Sequence, residues 1–350
     1  MRTLNKFKSL VLCFILFQSI NINSKPDIYV IFKYITDTSL TNISWNYESK
    51  LLAISDGNDN VLIYSIVDNG FSTTIRREED EIYVVADIAW SPVQNYLLIA
   101  NNLTKIWDYP NNQWLDEFEF PSSRQVVFEY RPSSVDWHPQ GNSFAITLSV
   151  CEGGTPFTPG TRVEIWDVTN SSFSKIPVCV GSAGPSWNPQ GTQLAFSRVT
   201  LDEGGFIESE EIEVWDMNTH ERILTIGELR SPSGLDWSSD GDLIAFTTVM
   251  DLNQFIQIRD MIKSKIVSQA GGAFIADYVP LKWHPSENLI VTGGYDGSVR
   301  IWDALSGLEL IELPVHEDTV NDVSWSPDGS MLASVGRDGR LFIWDVSELR

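Results

Sequence analysis

Basic residues are scarce: 24 Lys and Arg stand against 47 Asp and Glu, for a formal net charge of −23 over 350 residues. A phosphate backbone is repelled by such a surface, so nucleic acid is excluded as a natural partner, whereas solubility and basic partners are favoured. Histidine numbers only 4, and none has a Cys or His neighbour at metal-ligand spacing. A nucleophile elbow, a phosphate loop and a dinucleotide fingerprint are all missing. The chain therefore reads as non-catalytic, with no cofactor and no metal. Cysteine numbers 3. Cys13 lies near the N-terminus; Cys151 and Cys179 pair in an oxidising compartment or stay as reduced or buried thiols.

Long apolar runs are also lacking, apart from Leu10 to Phe17, which follows Arg2, Lys6 and Lys8 and precedes the polar stretch Gln18 to Ser24. This is the order of an export signal over residues 1–24, although Ile22 and Ser24, or Phe17 and Ser19, do not make a small-x-small cleavage pair. The run is short of the about 20 residues of a membrane span. The expectation is an exported protein, periplasmic, extracellular or in a secretory pathway, with a cytoplasmic one as the alternative. No membrane contact is expected beyond the signal. Sequons stand at Asn42, Asn102 and Asn170, relevant only where such a pathway makes the protein.

What is present in quantity is tryptophan, 13 residues in a chain that is 43% apolar, enough for a large ordered core. Seven of them recur: Trp45, Trp90, Trp137, Trp187, Trp237, Trp283 and Trp325, at spacings of 45, 47, 50, 50, 46 and 42 residues. Each ends a short alternating segment such as Val323-Ser324-Trp325. Most are followed by a turn such as Ser326-Pro327-Asp328-Gly329, where proline presets φ and glycine accepts a positive one. An apolar strand comes next, as in Leu289-Ile290-Val291-Thr292, and then a third strand ending in Trp-Asp: Trp107-Asp108, Trp166-Asp167, Trp215-Asp216, Trp302-Asp303 and Trp344-Asp345. Room remains for a fourth, for example Ile223-Leu224-Thr225-Ile226. Four antiparallel strands every 42 to 50 residues, with no helical period, predict an all-β, seven-bladed propeller.

These residues resemble the WD-repeat propellers over about residues 27 to 350. By that resemblance His316, Ser334, Asp338 and Trp344 form a structural hydrogen-bonded tetrad in unit seven. Thr292, Asp296 and Trp302 match it in unit six without the histidine. Units one and five carry Tyr64-Ser65 and Arg259-Asp260 in place of Trp-Asp. The last unit stops too soon after Trp344-Asp345 to supply its own fourth strand, so Ile28-Tyr29-Val30-Ile31-Phe32 is expected to pair as the outer strand of that blade and close the ring. A closed ring needs no partner subunit to fold, so a monomer is expected.

Units three and four are lengthened, 29 residues from Trp137 to Trp166 and 28 from Trp187 to Trp215 against 19 in units six and seven. The extra residues predict two loops on one face, Cys151 to Thr161 and Thr200 to Glu211. Candidate partner-binding residues there are Glu152, Phe157, Asp202, Glu203, Phe206, Glu208, Glu210 and Glu211. Glu78-Glu79-Asp80-Glu81 extends the acidic field. Tyr295 and Arg337 join them on the family resemblance alone. The resemblance implies an interaction platform for a protein or peptide, with a basic one as the complement of the acid. The alternatives are tolerated surface insertions, or an exported propeller that binds a small ligand, a sugar or a calcium ion, although the carboxylate spacing fits no EF-hand loop.

Overall fold

The computed structural model describes residues 28–76, 85–101, 103–119, 131–151, 159–176, 183–202, 207–250, 253–274 and 279–349. Among them, twenty-eight strands and no helix make seven four-stranded antiparallel sheets. Six sheets take their strands in sequence order. The seventh places β1 (Tyr29–Ile35) beside β28 (Arg340–Asp345), which pairs β27 (Met331–Gly336) and then β26 (Val320–Trp325). The register runs from Tyr29↔Asp345 to Ile35↔Arg340. The expected closure is thus present: the N-terminal strand hides the edge that the C-terminal blade would otherwise leave open.

Seven hydrophobic clusters hold the ring, one at each junction between neighbouring blades. Middle strands such as Leu51–Asp56 are buried on both faces, because each blade is packed from both sides. This is why they read as apolar runs, whereas β26 alternates, with one face toward the axis. At the closing junction Phe32, Leu341 and Ile343 meet Leu40, Ile54 and Tyr64 of the first blade. Six of the seven outer strands carry a register shift next to the Trp-Asp position, as at Ile301/Trp302, which adds local twist.

The Pro-Gly turns lock one blade to the next. His138 donates from Nε2 to the Gly191 carbonyl at 2.9 Å, and His284 to that of Gly329 at 3.2 Å. In both, Nδ1 accepts a backbone N–H within its own turn, which fixes the tautomer. A Cβ on Gly191 would lie 2.3 Å from His138 Nε2, and one on Gly329 2.5 Å from His284 Cε1. With φ at +70° and +72°, these two positions need glycine for conformation and for clearance.

Candidate functional site

The inner strand of each blade ends on its repeating tryptophan. β2 (Leu40–Trp45), β6 (Asp87–Trp90), β10 (Arg131–Trp137), β14 (Ser186–Trp187), β18 (Ser233–Trp237) and β22 (Leu281–Trp283) join β26 around the axis. They enclose a water-accessible channel of about 1020 Å³, with Asp87, Asp136, Asp236, Lys282 and Asp322 in its wall and Arg337 at one end. Sequence reading passed over these five inner-strand charges. Their signal is positional: each stands one or three residues before its blade's tryptophan, where a side chain of an inner strand meets the lumen. Asn42 also lines the channel, and Ser55 donates to its amide oxygen, so in the folded ring that sequon is turned inward.

Burial pushes all four carboxyls up. For Asp136 and Asp322 it outweighs the pull of Lys282 and of backbone N–H groups, and both reach about 7. The same enclosure works to lower Lys282, but the four aspartates more than reverse it and leave the ammonium raised.

The lengthened third and fourth blades differ from expectation. Their middle strands are β11 (Ser143–Cys151) with β12 (Pro159–Asp167) and β15 (Gln193–Leu201) with β16 (Ile207–Asp216), nine or ten residues long against six for β27 and β28. The stretch expected as a loop over 200–211 continues the ladder through Arg198↔Glu211, Val199↔Glu210 and Thr200↔Ser209 to Leu201↔Ile207. In the third blade pairing runs to Cys151↔Pro159. The added residues find partners because Arg198-Val199-Thr200 is β-prone and faces an alternating Glu-Ser-Glu-Glu segment. Paired strands therefore take up the flanks of both expected loops, while 152–158 and 203–206 lie outside the described residues.

The candidate residues separate accordingly. Asp202 and Glu208 are exposed, and Glu211 is half-buried. Glu210 is buried and accepts the Ser231 backbone N–H, and burial pushes its carboxyl up. Tyr295 and Arg337 are exposed at the corresponding turns of the last two blades. Glu152, Phe157, Glu203, Phe206, Cys179 and the run 78–81 lie outside the described residues.

In the last blade three of the four expected tetrad members are joined. His316 Nε2 lies 2.7 Å from Ser334 Oγ, and Nδ1 donates to Asp338 Oδ1 at 3.0 Å. Burial works to raise Asp338, but bonds from His316 and the Glu317 N–H hold its carboxyl below the ordinary range. Trp344 is buried beside them, stacked on Phe342, and its indole N–H has no partner among the described residues. In the sixth blade Trp302 donates to Thr292 Oγ1 at 2.9 Å, while Asp296 pairs with Arg300 where no histidine is present.

Blades three and four meet the same need with acid. Trp166 donates to Glu164 and Trp215 to Glu213, at 2.9 and 2.8 Å. Glu164 is paired by Arg162, and burial leaves its carboxyl raised. Glu213 receives both Arg198 and Arg222, which outweigh burial and leave it lowered. Glu-x-Trp-Asp is the legible signal for this variant, and sequence reading did not use it.

The family model for "WD domain, G-beta repeat" matches residues 281–303 and 307–345, the sixth and seventh blades. The chain is 30% identical over 153 residues to "Cell division cycle 20.6, cofactor of APC complex" of Arabidopsis thaliana, covering 41% of this chain and 32% of that one. It is 26% identical over 187 residues to "Cell division cycle 20.1, cofactor of APC complex" of the same plant, covering 51% and 35%. The aligned part spans about a third of the length of these curated relatives.

One expectation is corrected by these relatives. Cofactors of a cell-division-cycle complex are intracellular, nuclear or cytoplasmic, so the reading of the chain as exported is overturned. Its basis was a basic and then apolar order in residues 1–24, which lie outside the described residues. A run as short as Leu10 to Phe17 lacks the small-x-small cleavage pair that would support that order. The repeat is written in the blades from first to last, and the family match falls on the two that keep most of the expected hydrogen-bonding positions: the chain belongs to the WD-repeat β-propellers.

Proposed function

We propose that this propeller is a non-catalytic platform that holds a protein or peptide against the face from which the hairpins of blades three and four rise. The observation that carries the reading is the pair of extended hairpins, β11–β12 and β15–β16, on neighbouring blades. A rigid ring that lifts two adjacent elements above its rim offers the broad contact of about 1,000 Å² that a protein partner needs. The relatives' description as cofactors of a complex supports binding to proteins. Exposed Asp202 and Glu208, in a chain of net charge −23, favour a basic contact surface.

The test compares the chain with a variant in which 149–161 and 199–209 are replaced by two-residue turns, both shown folded by circular dichroism. Each is immobilised and exposed to a nuclear and cytoplasmic extract, and retained proteins are identified by mass spectrometry. Proteins held by the full chain and lost from the variant support the reading. Equal retention by the two folded forms sinks it.

A further inference from the structure

The channel aspartates do more than line a lumen. Each reaches across a junction to the backbone of the next blade. Asp87 Oδ2 accepts the Val135 N–H and the Ser134 hydroxyl, both at 3.0 Å. Asp136 accepts the Trp187 N–H at 2.7 Å, Asp236 the Trp283 N–H at 2.7 Å, and Asp322 the Ile43 N–H at 2.9 Å. Four of the seven junctions are latched in this way, the last being the one that closes the ring. Ser44 does the same between the first two blades, accepting the Trp90 N–H. A carboxylate makes a stronger latch than a hydroxyl, but four of them facing one lumen repel each other.

Among the described side chains of the inner strands, a single cation stands with them. Lys282 occupies the position before Trp283 that Asp136 and Asp236 hold in their own blades, and it is exposed to the lumen. Among the described residues its ammonium has no ion pair or hydrogen bond. It instead attracts Asp236, Asp136, Asp322 and Asp87 across the channel. The other inner strands add only uncharged groups, Thr41, Asn42 and Ser44 from β2 and Ser186 from β14; Arg337 adds a charge at one end. We propose that Lys282 is the shared counter-charge of a proton-sensitive ring lock, whose four aspartate latches hold the blades together and loosen when the channel gains negative charge.

The direction follows from linkage. Asp136 and Asp322 titrate near 7 in the fold, against an ordinary 3.8, so the folded ring binds protons that the unfolded chain releases. Their contribution is fully present below about 3.8 and is lost as pH rises through about 7. A protonated carboxyl still accepts the next blade's N–H through its carbonyl oxygen, so the latch survives while the repulsion is removed. Lys282 limits the loss above neutrality.

The test is thermal unfolding of the full chain from pH 5 to 8.5 for the wild type, Lys282→Met, Lys282→Arg and Lys282→Met with Asp136→Asn. Wild type loses Tm across this range, and in Lys282→Met the loss grows by about twofold, because the fold-state carboxyls rise further. Lys282→Arg keeps the wild-type profile, and Asp136→Asn in the Met background shrinks the loss. A Lys282→Met deficit equal at pH 5 and pH 8.5 overturns the proposal, since lost packing alone does not depend on pH. Should Lys282→Met not fold at any pH, Asp136→Asn and Asp322→Asn in the wild-type background decide. A flatter profile between pH 6 and 8 supports the lock, and an unchanged one overturns it.

Discussion

Truncating Phe32 to alanine tests whether the N-terminal strand carries the closure of the ring. Phe32 is only 4% exposed, sits opposite Ile343 of the last strand, and places its ring 4.2 Å from that of Tyr64 in the first blade. It therefore bridges the two ends of the chain and the junction between them. Removing a buried phenyl group costs about 3–5 kcal/mol, the transfer term plus the void left behind. Unfolding entropy of about 2.1 cal/mol/K per residue gives a ring of this size about 0.7 kcal/mol/K. The expected fall in Tm is then about 4–7 °C. Ile35 serves as the control within the same strand: at 40% exposed, its truncation changes stability by less than about 1 kcal/mol, or about 1 °C. Differential scanning calorimetry of the two variants reads both values. A Phe32→Ala protein that melts within 1 °C of wild type, or an Ile35→Ala protein that falls as far, would refute the reasoning, because burial at the junction would then not be what holds the strand.

Two further substitutions test the polar framework. Ser334→Ala removes the partner of His316 Nε2 in a fully buried setting and should cost about 1–3 kcal/mol in urea unfolding, with the m-value unchanged; a loss below about 0.5 kcal/mol would show that the His316–Asp338 bond suffices without it. Glu213→Ala strips the acceptor from half-buried Trp215 and the anion from Arg198 and Arg222, and should cost about 3 kcal/mol, read as a lower urea midpoint; an unchanged midpoint would show that the half-exposed arginines turn to water and the indole finds another acceptor.

The blades were legible because their marks are local. Trp325, Pro327 and Gly329 lie within five residues and specify a strand end and a turn by their own conformational preferences. The closing strand could be read for a related reason: Ile28-Tyr29-Val30-Ile31-Phe32 is a β-prone run that stands before the first blade and has no place in it. What escaped was every feature made by residues far apart in sequence. Asp87, Asp136, Asp236, Lys282 and Asp322 converge only once the ring exists, and nothing beside them in sequence reveals it. Glu-Ser-Glu-Glu reads as an exposed polar insertion, yet in the ladder Glu210 stands opposite Val199 and is buried.

The pairing of Tyr29 with Asp345 also bears on how the protein is made. The outer strand of the last blade is made before every other strand of the ring, and it stays without its partner until β28 has been synthesised. Six blades can form in order behind it, each with near neighbours in sequence. The seventh must wait, and its loop is closed across more than three hundred residues, the slowest kind of contact to find. Until then the nascent ring is an open arc with Phe32 and Leu40 uncovered, a stage at which a chaperone, or a second copy with the same unfilled gap, would meet it.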